Sequence, residues 1–206
     1  MKNYCYLCIN NNAKLQTIVL TLYIARHGQT EENVQRILQG QMPGHLTQEG
    51  ITQAEQLREQ LRNLHFDRII TSDLQRAIDT TRIIAEPHGG AYELEPLLRE
   101  RDFGIHTGGP YIKISRALDP SAETMEQVAE RAAQFLNNLT RTLPQGKGSI
   151  LAVSHGLFLR VLQAVYHGVD VRSVDKMENA EVRQLTLEPS MHFSIHVQSE
   201  LGGTAN

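Results

Sequence analysis

Two histidines of the chain each follow an apolar segment and precede a glycine. Residues 17–25 are followed by Arg26 and then His27, and residues 148–154 are followed directly by His155. Both segments are rich in aliphatic and β-branched residues, which is typical of strands buried on both faces. In open α/β sheets, ligands bind at the carboxyl ends of the strands. The spacing therefore predicts that both histidines lie at a ligand site, where the glycine after each would let the backbone approach a ligand closely.

Arginines would supply positive charge to this site. Arg26 precedes the first histidine, and Arg76 lies one turn into the helix predicted after a strand at residues 67–71. Guanidinium groups bind phosphate oxygens in pairs, and a phosphoryl group carries about −1.5 to −2 charges at neutral pH. The N-terminus of the helix predicted after His155 would add free N–H groups and the positive end of a helix dipole. These features favour a phosphoryl ligand.

A charged run supplies carboxylates for acid–base chemistry. Residues 99–102 read Arg-Glu-Arg-Asp, so Glu100 and Asp102 are both candidates for a general acid. The sequence contains neither a Walker-type glycine loop nor a cluster of residues with metal-ligand spacing. An aspartate-based phosphoryl site would need Mg²⁺ and more carboxylates. We therefore expect phosphoryl chemistry that uses no metal and no other cofactor.

Four blocks of the sequence resemble the motifs of the histidine phosphatase superfamily, branch 1, the phosphoglycerate-mutase-like group. They read ARHGQTEEN at 25–33, TSDLQRAIDTT at 71–81, LLRERDFG at 97–104 and VSHG at 153–156. The resemblance covers roughly residues 17–187. Because all four blocks agree in order and spacing, the match is far more specific than an isolated Arg-His-Gly tripeptide.

The resemblance implies a role for each matched residue. His27 would attack phosphorus and form a phosphohistidine, while Arg26, Arg76 and His155 would hold the phosphoryl oxygens and stabilise the transition state. Glu100 would protonate the leaving alkoxide and then take a proton from the attacking water. The expected substrate is a small phosphorylated metabolite. Further candidates for binding the phosphate or the substrate are Asn33, Gln39 and Gly156.

Two departures from the family favour hydrolysis over mutase activity. Residues 104–109 read Gly-Ile-His-Thr-Gly-Gly, where members often carry a Trp-Glu-Gly run. Only 54 residues separate Glu100 from His155, so the basic insert of the mutases is missing. A cofactor-dependent phosphoglycerate mutase and a non-catalytic phospho-ligand-binding protein stay as alternatives. Asp102 competes with Glu100 for the acid role, and His106 lies in the loop expected to select the substrate.

The predicted elements that position these residues alternate along the chain. Besides the two strands already described, the pattern predicts strands at 67–71, 91–94, 180–188 and 191–198. Three helices are predicted to start at the N-caps Thr47, Ser72 and Thr124, the last with Gln127 in a capping box. A fourth helix is predicted at about 157–166. Loops are predicted at 29–46 and 95–120. Alternating strands and helices predict an α/β fold, a three-layer sandwich with a mostly parallel central sheet and helices on both faces.

The composition agrees with one globular domain. The chain has 206 residues, 40% of them apolar, and a net charge of −3, which argues against a fibrous or disordered chain and against nucleic acid as a partner. We expect an N-terminal extension at 1–16, a catalytic domain at 17–198 and a tail at 199–206. A homodimer could form through an edge strand at 191–198.

The sequence also bears on the compartment. The longest apolar stretch, residues 17–25, is about half the roughly 20 residues that a membrane-spanning helix needs. Cys5 and Cys8 form a lone Cys-x-x-Cys without further zinc ligands, and we interpret them as unremarkable thiols. These features predict a cytoplasmic protein that does not associate with membranes.

Overall fold

A computed structural model describes residues 19–111, 119–142 and 147–195. Its central sheet has five strands in these residues, in the order β3-β2-β4-β1-β5. The strands are β1 (Val19–Arg26), β2 (Arg68–Thr71), β3 (Glu93–Leu94), β4 (Lys147–Ser154) and β5 (Val182–Leu187). All neighbours pair in parallel except β5, which runs antiparallel to β1. The α/β fold with a mostly parallel sheet is confirmed.

Helices pack on both faces of the sheet. They are α1 (Glu31–Val34), α2 (Gln48–Leu61), α3 (Gln75–Ala85), α4 (Met125–Arg141) and α5 (Gly156–His167). One core cluster joins α4 and α5 to side chains such as Leu22 and Ala152. The other joins α2 and α3 to the opposite-facing Leu151 and Val153. The alternation of β-strand side chains thus divides the apolar residues between two layers of helices.

Two of the predicted helix starts are confirmed and one is wrong. Thr47 caps α2, and Thr124 caps α4 with Gln127 in a reciprocal capping box. The cap of α3 is Leu74, whereas Ser72 was predicted. Ser72 instead extends the sheet, because its N–H donates to the carbonyl of Val153 at 3.0 Å. Its hydroxyl is consequently directed toward the candidate site, as described below.

The predicted loops contain short helices. The segment 29–46 includes α1, which starts with a capping box between Thr30 and Asn33, a local signal that the loop prediction overlooked. The segment 95–120 contains two 3₁₀ turns, Pro96–Leu98 and Gly104–His106. Within this segment, residues 112–118 lie outside the described residues.

The strand predicted at 191–198 is wrong for residues 191–195, and the remainder lies outside the described residues. Phe193 is buried as the alternating pattern indicated. Its N–H and C=O pair with the side-chain amide of Asn137 at 2.9 and 2.8 Å, so that one side chain of α4 replaces a neighbouring strand. The homodimer expected through this edge stays a prediction.

Two further predictions concern the chain ends and membranes. Cys5 and Cys8 lie outside the described residues, as do all residues of the predicted N-terminal extension and tail. In the part of the chain that the structure describes, no helix is long and apolar enough to cross a bilayer.

Candidate active site

The two histidines lie side by side at the carboxyl ends of adjacent strands. In the parallel register of β1 and β4, Arg26 is opposite Ser154, and the N–H of His27 donates to the carbonyl of Ser154 at 3.0 Å. The rings of His27 and His155 are 5.2 Å apart between centroids. The connections from these strands run in opposite directions, through α2 toward β2 and through α5 toward β5. This is the crevice in which α/β sheets bind ligands.

His27 is held as a neutral imidazole. Its Nδ1 lies 2.7 Å from the carbonyl of Gly28, which can only accept, so Nδ1 carries the proton. Its Nε2 then has a free electron pair, which accepts a hydrogen bond from Nε of Arg76 at 3.3 Å. Burial, reinforced by Arg76 and Arg26, holds the pKa of His27 well below its ordinary value. At neutral pH Nε2 is therefore an unprotonated nitrogen beside two cations.

His155 lies beside His27 and is fully buried. Its Nε2 is 2.9 Å from the hydroxyl of Ser72, and its Nδ1 has no hydrogen-bond partner among the described residues. Burial first, then Arg76 and His27, hold its pKa well below the ordinary value. Nε of Arg26 is likewise buried without a partner in the same part of the chain. Buried polar atoms without partners are rare in folded proteins, so these two atoms are candidates to bind a polar ligand.

The two arginines are fixed by backbone carbonyls. Arg26 donates from Nη1 to Met177 at 2.7 Å. Arg76 donates from Nη2 to Gly40 at 2.8 Å and from Nη1 to Met42 at 2.5 Å. Burial lowers the pKa of Arg26 and lowers that of Arg76 to about 10, so both remain charged at neutral pH. The loop after α1 thus orients Arg76 so that Nε faces the histidine.

Glu100 caps the N-terminus of α5. Its Oε1 accepts from the N–H groups of Phe158 at 3.0 Å and Arg101 at 2.9 Å, and its Oε2 accepts from the N–H of Leu157 at 3.1 Å. Asp102 is directed elsewhere, since its Oδ1 accepts from the N–H of Gly104 at 2.8 Å. Oε1 of Glu100 thus accepts two of these three bonds and Oε2 accepts one.

A cavity of about 360 Å³ joins most of the residues singled out in the sequence. Predicted residues that line it are Arg26, His27, Asn33, Gln39, Arg76, Glu100 and Gly156; His155, Asp102 and His106 do not. His106 is exposed on its 3₁₀ turn. A second cavity of similar volume lies between α4 and α5, away from the histidines.

Several cavity residues were missed. These are chiefly Arg101, Phe103, Tyr111, Arg160, Lys176 and Met177. Arg160 follows Gly156 by four residues, so helical spacing could have indicated it. Lys176 and Met177 belong to the connection between α5 and β5, where no local pattern relates them to the histidines. Asn179 was also missed; its amide donates to the carbonyl of His27 at 3.1 Å and to Oδ1 of Asn33 at 3.3 Å.

The glycines after the histidines serve packing. A Cβ on Gly28 would lie 2.4 Å from the carbonyl oxygen of Gly50 in α2, and one on Gly156 would lie 3.1 Å from Nε of Arg26. The first glycine lets α2 approach the end of β1, and the second leaves room for the guanidinium. Close approach to a ligand, which the sequence suggested for both, is not the contact that Gly28 makes.

No group of three or more histidine, cysteine, aspartate or glutamate residues that could hold a metal ion occurs among the described residues. The positive charge in the cavity comes from side chains. Besides Arg26 and Arg76, the lining includes Arg101, Arg160 and Lys176, with Glu100 as its carboxylate. This arrangement is suited to binding an anion beside an unprotonated histidine.

Comparisons with known proteins identify the family. The family model of the histidine phosphatase superfamily (branch 1) matches residues 22–196. The Fructose-2,6-bisphosphatase TIGAR B of Danio rerio is 36% identical over 151 residues, which are 66% of this chain and 59% of that protein. The Probable phosphoglycerate mutase GpmB of Enterobacter sp. (strain 638) is 34% identical over 166 residues, 73% of this chain and 76% of that protein.

A solved structure shows the same fold. The native structure of the mycobacterial glucosyl-3-phosphoglycerate phosphatase Rv2419c aligns with a TM-score of 0.74 and 27% identity, covering 82% of this chain and 90% of that one. The names of these similar proteins include both phosphatases and a mutase.

Proposed function

The chain belongs to branch 1 of the histidine phosphatase superfamily, and we propose that within it this protein is a phosphatase that hydrolyses small phosphate monoesters through a phosphohistidine on His27. One observation carries the proposal: His27 presents an unprotonated Nε2 at a cavity whose lining includes Arg26, Arg76 and Glu100. A nitrogen that is buried, neutral and flanked by two fixed cations meets the needs of a nucleophile toward a phosphate dianion.

In the first step, Nε2 of His27 attacks phosphorus while the bond from phosphorus to the leaving oxygen breaks. Arg26 and Arg76 hold the phosphoryl oxygens and stabilise the charge of the transition state. Nδ1 keeps its proton, which stays hydrogen-bonded to the carbonyl of Gly28, and this bond fixes the tautomer. Glu100, entering protonated, donates its proton to the leaving alkoxide so that an alcohol departs.

In the second step, water attacks the phosphohistidine. Glu100, now ionised, takes a proton from the water as the new bond to phosphorus forms and the bond to Nε2 breaks. Inorganic phosphate leaves, His27 is again neutral and Glu100 is again protonated. His155, whose ring is 5.2 Å from that of His27, would support the phosphoryl group through its otherwise unpartnered Nδ1.

Glu100 is the better candidate for the acid. It lines the cavity, whereas Asp102 does not, and the carboxylate of Asp102 is engaged by the N–H of Gly104. The interpretation as a non-catalytic binding protein has little support, because neither the nucleophile nor the acid is missing. Hydrolysis is favoured over mutase chemistry by the short connection of 54 residues between Glu100 and His155.

The size and charge of the cavity support a small anionic substrate. Its volume of about 360 Å³ suits a metabolite rather than a folded phosphoprotein. Beyond the phosphoryl position, its lining includes the cations Arg160 and Lys176 and the apolar side chains Phe103 and Tyr111. We therefore expect a compact leaving group with polar or anionic substituents.

The test is phosphate release from a panel of monoesters at pH 5 to 8 without added metal, beside a 3-phosphoglycerate mutase assay. The wild-type enzyme should release phosphate, and rapid quenching in alkali should trap a phosphohistidine that peptide mass spectrometry assigns to His27. His27→Ala should fold, bind vanadate and release phosphate at under about 1% of the wild-type rate, because the covalent route is lost.

Each outcome separates the candidate functions. Release that survives His27→Ala would contradict the covalent mechanism. Mutase turnover with little release would make the protein a mutase. Tight vanadate binding without turnover of any ester would favour the binding protein.

A further inference from the structure

The loop that carries Glu100 is held by an ion pair that the catalytic scheme does not use. Arg131, in the middle of α4, pairs with Glu123 just before that helix, through two parallel bonds of 2.9 Å from Nε and Nη2 to the two carboxylate oxygens. The two side chains are only 15% and 16% exposed. A half-buried bidentate pair of this kind is geometrically specific, because the guanidinium fork fits the carboxylate in one plane.

The pair holds the loop on both sides of Glu100. Nη1 of Arg131 donates to the carbonyls of Leu97 and Arg99, both at 2.7 Å, which precede the acid in the chain. On the other side, the backbone carbonyl of Glu123 accepts from Nε of Arg101 at 2.7 Å.

Asp102 adds a reciprocal backbone link. Its N–H donates to Oε2 of Glu123 at 3.2 Å, and the N–H of Glu123 donates to the carbonyl of Asp102 at 2.9 Å. Residues 97, 99, 101 and 102 are therefore all fixed by Glu123 and Arg131, and the acid between them has little backbone freedom.

Arg131 also contacts the other support of the acid. Its guanidinium lies over the ring of Phe158, 4.7 Å from the ring centroid. The N–H of the same Phe158 donates to Oε1 of Glu100 at 3.0 Å. One cation thus ties the loop of Glu100 to the first turn of α5, the two parts whose relative position sets where the carboxylate lies. Arg131 itself does not line the cavity.

We propose that Glu123 and Arg131 are positioning residues that fix the Glu100 carboxylate for proton transfer to the leaving group. The inference rests on the proposed function, since it presupposes that Glu100 is the acid. When the pair is broken, the loop gains freedom, and a displacement of the acid by about 1 Å can cost about 10²-fold in rate. The loss should fall on proton transfer and not on the attack by His27.

The test compares two substrates that differ in their need for a proton. An alkyl phosphate needs the acid, while p-nitrophenyl phosphate has a leaving group that departs as an anion. The quantity to measure is kcat/KM, which reports the steps through formation of the phosphohistidine and is independent of its later hydrolysis. Arg131→Met should lower kcat/KM about 10²-fold for the alkyl phosphate and no more than about threefold for p-nitrophenyl phosphate.

Arg131→Lys serves where the methionine variant fails to fold. It keeps the charge but loses the fork, so we expect a selective loss of about tenfold on the alkyl phosphate. Leu136→Ala is the matched control, a fully buried core residue of the same helix. It should destabilise the protein and change both substrates by the same factor. An equal loss on both substrates in the Arg131 variants would mean a structural role only and would overturn the inference.

A double variant distinguishes failure of the positioning role from failure of the assignment of Glu100 as the acid. If Arg131 acts through Glu100, then adding Arg131→Met to Glu100→Gln should cause no further loss on the alkyl phosphate. Multiplied losses would refute the positioning role. If Glu100→Gln by itself shows no preference for the good leaving group, the assignment of the acid has failed instead. If Glu100→Gln is selective and both Arg131 variants are not, only the positioning role has failed.

Discussion

Acidification should destabilise this protein through the two buried histidines of the candidate site. His27 and His155 are buried, and burial with the neighbouring arginines holds the pKa of each well below the ordinary value of about 6.5. In the unfolded chain both regain that ordinary value. Between the two pKa values the unfolded state binds more protons than the folded state, so stability falls as the pH falls.

The size of the effect follows from linkage. While the folded histidine stays neutral, each lowers the unfolding free energy by RT ln(1 + 10^(6.5−pH)), about 0.2 kcal/mol at pH 7 and about 1.4 kcal/mol at pH 5.5. Together the two histidines should remove about 2.5 kcal/mol between these pH values. That is a large part of the roughly 5–15 kcal/mol by which domains are stable. His88, whose pKa burial also lowers, adds in the same direction.

Urea unfolding followed by circular dichroism at pH 7.0, 6.5, 6.0 and 5.5 measures the loss. The buffers must contain no phosphate, because an anion that binds the folded state would add stability of its own. Carboxylates do not interfere, since those with lowered pKa values, such as Glu59 and Asp170 at about 2, lose their stabilising effect only below the ordinary carboxylate range near pH 4.

The control removes the titrating groups. In the double variant His27→Gln and His155→Gln, the baseline stability will differ, but the pH-dependent loss should shrink to that of the remaining histidines. Each single variant should keep about half of the wild-type loss. If the double variant loses as much stability between pH 7 and pH 5.5 as the wild type, the two histidines are not neutral and buried, and the nucleophile argument fails with it.

Three further predictions concern packing and charge. Gly28→Ala should destabilise the protein by about 1–3 kcal/mol in urea unfolding, because its methyl would lie 2.4 Å from the carbonyl oxygen of Gly50; an unchanged midpoint would contradict this contact. Asn137→Leu should cost about 1–3 kcal/mol by leaving the backbone N–H and C=O of Phe193 unpaired, and hydrogen exchange should quicken at that amide. EDTA should leave phosphate release unchanged, since arginines supply the positive charge in the proposed mechanism; strong inhibition would require a metal.

Much of the fold was predictable because its signals are local. Continuous apolar runs identified β1 and β4, and polar N-caps identified the starts of α2 and α4. The strand predicted at 191–195 failed because alternation reports burial, not pairing. Phe193 is buried as the pattern indicated, but a side chain of α4 supplies its hydrogen bonds.

The candidate site was likewise predictable only where its signals are local. Parallel strands end at one edge, so the sequence by itself brought His27 and His155 together and added Arg26 as the neighbour in the chain. Residue type and spacing did not distinguish Glu100 from Asp102, which are two positions apart in a charged run, and only the match to the family motif favoured Glu100. Their side chains point to different places because the loop is bent, and only the packing of α4 and α5 against it determines that bend.

The sequence by itself identified the candidate site residues and the strand ends at which His27 and His155 lie, because residue types and their spacing encode local structure. The tertiary structure decided which contacts orient and support their side chains. Ser72 reaches His155, the carbonyls of Gly40 and Met42 orient Arg76, and Arg131 supports the loop of Glu100. Each of these contacts joins residues more than 30 positions apart, so it exists only once the helices have packed on the sheet, and no local pattern can encode it.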